Sequence, residues 1–192
     1  PTYISPAVYI EEVAALPPQV QAVETALPAF IGYTERAENA GLPLRHTPTL
    51  IHSLHEYEAC FGGGASPAVT LWLNSQHQIV DASKHHAFCL YDSVRLFFEQ
   101  GGTQCIIVSV GDYQQVIVPS ALQQGLSAVA NDASVTLLVM PEAAVCEAAH
   151  TLEATALAQC AAAPNCFALL DLRLSRDQDA FAAEVSRFRA QL

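Results

Sequence analysis

The sequence predicts an α/β fold: a mostly parallel sheet flanked by helices, preceded by an extended N-terminal arm with a short strand. Three observations carry this. Segments dense in β-branched and apolar residues, such as Cys105-Ile106-Ile107-Val108-Ser109-Val110 and Val135-Thr136-Leu137-Leu138-Val139-Met140, alternate with segments of helical periodicity. These strands are almost continuously apolar, as strands buried on both faces are. The first 28 residues lack that alternation and carry Pro6, Pro17, Pro18 and Pro28. Proline removes a donor and fixes φ, so no long helix forms there.

Taken in order, residues 1–28 read as an arm and residues 29–192 as an α/β body. Within the arm, Val8-Tyr9-Ile10-Glu11-Glu12-Val13 is β-prone and spans about 20 Å when extended. Alternation places Val8, Ile10 and Glu12 on one face and Tyr9, Glu11 and Val13 on the other. Ala29-Phe30-Ile31-Gly32-Tyr33 reads as the first strand of the body. Ser53-Leu54-His55-Glu56 has capping-box spacing and opens a helix through Cys60, stopped at Gly62-Gly63-Gly64. Residues 65–86 are ambiguous, reading as two or three turns of mixed polar and apolar residues. Leu90, Val94, Phe97 and Phe98 then recur at helical spacing over 87–100, and Gly101-Gly102 ends that helix.

The strand over 105–110 is followed by a helix over 120–130 and a strand over 135–140. An alanine-rich helix is predicted from Glu142 to Cys160, a strand from Cys166 to Asp171, and a last helix over 177–191. In that last helix Phe181, Val185, Phe188 and Leu192 lie on one stripe. Its acids come first (Asp177, Asp179) and its arginines last (Arg187, Arg189), matching the helix dipole.

Composition excludes several function classes. Of 192 residues, 52 % are hydrophobic and 14 % charged, enough apolar material to offset the entropy of ordering one domain with an arm. Eight Lys and Arg against nineteen Asp and Glu give a formal charge of −11, a field that repels phosphate. Neither a nucleic-acid partner nor direct membrane binding is expected. No apolar run reaches the ~18–20 residues of a membrane helix. The N-terminus lacks the basic flank and apolar core of a signal peptide, so the expected compartment is the cytoplasm. The six cysteines (60, 89, 105, 146, 160 and 166) form no C-x-x-C pair and read as reduced core thiols.

The search for chemistry yields no catalytic, cofactor-binding or metal residues. Gly62-Gly63-Gly64-Ala65-Ser66 lacks the Lys-Ser/Thr ending of a phosphate loop and follows a helix; Gly101-Gly102 precedes a strand, the reverse of a dinucleotide fingerprint. His46, His52 and His55 cluster in sequence without H-E-x-x-H, and His85-His86 are adjacent. No G-x-S-x-G elbow occurs. Asp171, at the carboxyl end of its strand, is one acid without a partner, as compatible with a cap or ion pair as with catalysis.

Five blocks, in order, resemble one family. Ser5-Pro6-Ala7-Val8-Tyr9-Ile10-Glu11-Glu12-Val13 is similar to the S-P-G-V-Y-I-E-E-V signature of contractile tail sheath proteins, with Ala7 where glycine is usual. Pro28-Ala29-Phe30-Ile31-Gly32-Tyr33-Thr34-Glu35-Arg36-Ala37 resembles the sheath A-F-I-G-x-T-E-R-G stretch, and Leu54 to Gly63 its F-x-x-x-F-G helix and stop. Phe97-Phe98-Glu99-Gln100-Gly101-Gly102-Thr103-Gln104-Cys105 resembles the F-F-x-N-G-G-x-x-C segment, and Val135–Glu142 and Cys166–Asp171 its later strands. Residues 64–86 match nothing in the family. Within it, the resemblance is nearest to sheaths of extracellular contractile injection systems of the antifeeding-prophage type.

The resemblance implies a structural subunit that polymerises around an inner tube and drives its ejection by contraction, with no cofactor and no catalytic site. Val8, Tyr9, Ile10, Glu11, Glu12 and Val13 would then add a strand to a neighbour's sheet, with main-chain hydrogen bonds supplying affinity. The implied partners are neighbouring sheath subunits in a helical or ring lattice, the inner-tube protein, and baseplate or cap proteins. Assembly would take place in the cytoplasm, followed by release as a phage-tail-like particle. Family members run to several hundred residues, so the resemblance covers their N-terminal portion and the body is expected to be incomplete relative to them. Two alternatives stand beside it: a sheath-like cap or baseplate-proximal component, and an α/β enzyme or nucleotide-binding module.

Overall fold

The computed structural model describes residues 27–85, 87–146, 149–163, 165–172 and 178–191; the arm residues Val8–Val13 lie outside the described residues. In chain order the elements are β1 (Pro28–Thr34), β2 (Glu38–Asn39), β3 (Leu42–Pro43), β4 (Thr49–Ile51), α1 (Leu54–Phe61), β5 (Ala68–Leu73) and β6 (Ile79–His85). There follow α2 (Leu90–Glu99), β7 (Cys105–Asp112), α3 (Pro119–Ala128), β8 (Leu137–Val139), a 3-10 helix (Pro141–Val145), α4 (Ala149–Ala162), β9 (Phe167–Leu169) and α5 (Gln178–Gln191). Five strands form one sheet in the order β4-β7-β1-β8-β9; β4 is antiparallel to β7 and the other pairings are parallel. The fold is the expected α/β, mostly parallel and flanked by helices.

Strand β1 is central, and its period-two alternation feeds both layers. Ala29, Ile31 and Tyr33 join Ile106, Val108 and Val110 of β7 under Leu122 and Leu126 of α3 and Leu152 and Ala156 of α4. On the opposite face Phe30 joins Cys105, Ile107 and Val139 under Tyr57 and Phe61 of α1 and Leu90 and Val94 of α2. Both β1 and β7 are buried nearly end to end, which is why their sequences carry no polar alternation. Pro28, where the sequence ends the arm, is the first residue of β1, and Leu27 exchanges hydrogen bonds with Thr136.

Helix α1 begins as its sequence predicts: the Ser53 hydroxyl accepts from the Glu56 N–H, and the Glu56 carboxylate accepts from the His52 N–H. It ends at Gly62, whose φ of 82° is open to glycine without strain and whose N–H donates to the Glu58 carbonyl.

Four local expectations change. Residues 65–86 contain an antiparallel hairpin, β5 paired with β6, rather than helical turns. The helix expected from Glu142 is a 3-10 turn over Pro141–Val145 with α4 beginning at Ala149. The strand expected over 166–171 is confined to Phe167–Leu169, leaving Asp171 beyond its end. In α2, Leu90 and Val94 are fully buried, whereas Phe97 and Phe98 are only partly buried.

Candidate functional site

The parallel strands run β1, β7, β8, β9 along the chain but lie in the order β7-β1-β8-β9 in the sheet. The chain therefore reverses direction between β1 and β8, and folds of this kind hold ligands at the carboxyl ends of the two strands flanking that reversal. Here the place is filled from within. Glu142, just past β8, is fully buried, and its Oε1 accepts from the N–H groups of Cys89 (3.0 Å) and Leu90 (2.9 Å). These are the first donors of α2, which has no side-chain cap of its own. A carboxylate thus sits where the helix dipole and free N–H groups favour an anion.

The fit is tight. A Cβ on Gly32 of β1 would collide with Glu142 Oε2, so only glycine admits the carboxylate there. Among the described residues, Oε2 and the hydroxyl of the fully buried Tyr57 have no hydrogen-bond partner. Burial pushes the Glu142 carboxyl up to about 7, against the lowering effect of its backbone bonds to Leu90 and Cys89. Burial, followed by the neighbouring Tyr113 and Glu142, raises the Tyr57 hydroxyl as well. Nothing in the sequence marks Glu142: it reaches its partners across more than fifty residues of chain.

Along the same edge, a recess of about 360 Å³ between β1 and β7 is lined by charged groups that are already engaged. The Glu35 carboxylate accepts from the Gly63 N–H at 2.7 Å. Arg36 donates to the carbonyls of Glu58 and Ala59, both at 3.0 Å, placing a cation at the C-terminus of α1. Arg45 donates to Val110 and Gln115, and Asp112 accepts from Gln114 and Gln115. The Glu35-Arg36 pair and the Gly62-Gly63 stop, read separately in the sequence, are thus one interlocked unit.

A polar pocket of about 370 Å³ lies among α4, α5 and residues 171–172. Glu153 and Asp171 face it. Burial raises both carboxyls; Asp171 raises Glu153 further, and His150 lowers it. Asp171 lies beyond the end of β9, and residues 173–177, which would supply a cap or ion-pair partner, lie outside the described residues. His52 and His55 lie at the start of α1, and the described residues contain no group of three or more His, Cys, Asp or Glu able to hold a metal.

Two further surfaces are apolar. The β5–β6 hairpin exposes Val69, Leu71, Trp72, Leu73, Ile79 and Val80, each by 46–62 %. Val69, Leu71 and Leu73 alternate onto one face, with Ala82 opposite Leu71 and Ile79 opposite Leu73. A second apolar surface follows from the register of β1, β8 and β9. Phe30, Val139 and Leu169 are neighbours across the sheet, as are Pro28, Leu137 and Phe167. Helix α2 covers Phe30, with the Phe97 ring 5.7 Å away, while Leu169 of β9 stays exposed. A groove of about 470 Å³ remains beside it, and Phe167 is 72 % exposed. Among the described residues β9 pairs with β8 alone and stands at the edge of the sheet. The sequence-predicted interaction residues Val8, Tyr9, Ile10, Glu11, Glu12 and Val13 are not among those placed. Compared with known proteins, the chain matches no family model and no curated protein.

Proposed function

We propose that this chain is a structural subunit of the contractile sheath of a phage-tail-like injection system. It polymerises around an inner tube and drives ejection of that tube when the lattice contracts. The observation that carries this reading is the ordered series of sequence blocks resembling sheath proteins; the exposed apolar hairpin β5–β6 adds a surface for contact with other subunits. A two-stranded ribbon is marginal in water, and contiguous exposed apolar surface of this kind serves contact with other macromolecules. The exposed Phe167 and Leu169 of β9 and the groove beside them add a second surface of the same character. The filled ligand position at Glu142 weighs against the nucleotide-binding alternative, since a cofactor phosphate there would meet a buried carboxylate.

Three of the blocks resembling sheath proteins fall on successive parts of one body. Pro28–Ala37 supplies β1 and the Glu35-Arg36 pair, Leu54–Gly63 the helix end that this pair holds, and Phe97–Cys105 the step from α2 into β7. In this reading, residues Val8–Val13 join a neighbour's sheet as an added strand, and the arm tethers subunits while the α/β bodies reorient. Small free-energy differences per subunit suffice, because many subunits switch together between two packings. Inner-tube and baseplate or cap proteins are the further partners. Assembly takes place in the cytoplasm before release as a particle.

The direct test is negative-stain electron microscopy of the natural full-length gene product purified from its source. Hollow cylinders or stacked rings are expected; small monodisperse particles, even with inner-tube protein added, would overturn the sheath reading. A sharper test acts on the hairpin. Leu71→Asp is expected to change folding stability by no more than about 0.5 kcal/mol, as at other exposed positions. The same substitution should lower the yield of assembled polymer by at least tenfold. Unchanged assembly would remove the hairpin from the lattice contact.

A further inference from the structure

The sulfur atoms of Cys160 and Cys166 lie 3.4 Å apart. Cys160 is on the last turns of α4 and Cys166 immediately precedes β9. The turn between them is held by the Ala163 N–H donating to the Cys160 carbonyl (3.1 Å) and the Cys166 N–H donating to the Ala163 carbonyl (3.2 Å). Both thiols are free and only partly buried, whereas Cys60, Cys105 and Cys146 are buried in the core. Two thiols already in contact, across a turn held by its own backbone bonds, need only a small rotation to meet in bonding geometry.

We propose that Cys160 and Cys166 are a redox pair that closes to an intramolecular disulfide when the protein meets a low-molecular-weight disulfide such as glutathione disulfide. The Cys166 thiolate attacks one sulfur of the oxidant, forming a mixed disulfide and releasing one small thiolate. The Cys160 thiol then gives up its proton and attacks the Cys166 sulfur, breaking the mixed disulfide and releasing the second small thiolate. Two electrons pass to the oxidant and the two cysteine protons leave. Burial, together with the hydrogen bond to Cys166, pushes the Cys160 thiol up to about 12, so it keeps its proton in the first step and acts only in the second, where contact with the Cys166 sulfur makes the attack intramolecular. The bridge would fasten the end of α4 to the start of β9, the last strand of the sheet among the described residues. Closure depends on this local geometry alone and not on assembly into a sheath.

The test uses the whole chain, incubated folded with glutathione disulfide or with dithiothreitol, then acid-quenched, unfolded in denaturant, alkylated and examined by intact mass and peptide mapping. After glutathione disulfide, the chain should lose two hydrogens and take up alkylating agent at four cysteines, with one peptide linking residues 160 and 166. After dithiothreitol all six should be alkylated. Cys160→Ser should instead accumulate the glutathione adduct at Cys166, because the resolving thiol is gone. Six alkylated cysteines after oxidation, or a bridge at any other pair, would overturn the proposal. So would a Cys160→Ser variant that takes up no glutathione.

Discussion

Glu142→Gln is expected to stabilise the protein at pH 8 by about 3 kcal/mol and to remove much of the pH dependence of its stability. The buried carboxyl titrates at about 7 in the folded chain against a reference near 4.5. The folded state therefore binds more protons than the unfolded state between those values. That contribution is fully present below about pH 4.5 and is lost as pH rises through about 7, at roughly 1.4 kcal/mol for each pH unit between the two values. Glutamine keeps an oxygen for the N–H groups of Cys89 and Leu90 while carrying no charge to bury. In a chain of this size the gain corresponds to a melting temperature higher by about 6–12 °C.

Glu142→Ala separates charge from capping. It leaves two helix donors unsatisfied and opens a cavity against Gly32, so it should cost about 2–5 kcal/mol even at pH 5. Thermal melts of both variants from pH 5 to pH 8 decide the matter. A Gln variant that tracks the native chain at every pH would show that Glu142 does not carry the proton linkage.

Deleting residues 1–13 is the second large effect: assembly should be abolished while the body keeps its melting temperature within about 2 °C, as the strand-donation reading requires. Val8→Pro or Ile10→Pro should reproduce the loss of assembly, since each removes a donor that an added strand would use. Sedimentation of polymer and melting of the monomer are the paired readouts. An equal loss of monomer stability would place the segment in its own body's core. Retained assembly would remove the strand-donation role from Val8–Val13.

Much of the architecture is legible in particular residues. Cys105–Val110 and Ala29–Tyr33 are apolar without alternation, and both are central strands with helices on each face. Ser53 and Glu56 mark the start of α1 because a cap acts through hydrogen bonds a few residues apart. The hairpin is not legible. Its turn carries no Asn-Gly or Asp-Gly signal; the Asn74 side chain accepts from the N–H groups of Gln76 and Gln78 while His77 adopts a φ of 60°. The break before α4 is hidden for a related reason. Alanine-rich periodicity continues through Glu142, yet the carboxylate turns inward to α2 and the backbone there forms a 3-10 turn.

By itself, then, the sequence determined the order of the parallel strands and of the helices, the burial of the central strands and the ends of α1. These follow from periodicity, capping and glycine stops, which act over a few residues. Only the tertiary structure decided that Glu142 fills the crevice between β1 and β8, that Glu35 and Arg36 lock onto the end of α1, and that β5–β6 and Phe167 and Leu169 of β9 stay exposed. Those outcomes depend on which surfaces meet across long stretches of chain, and local propensity carries no information about that.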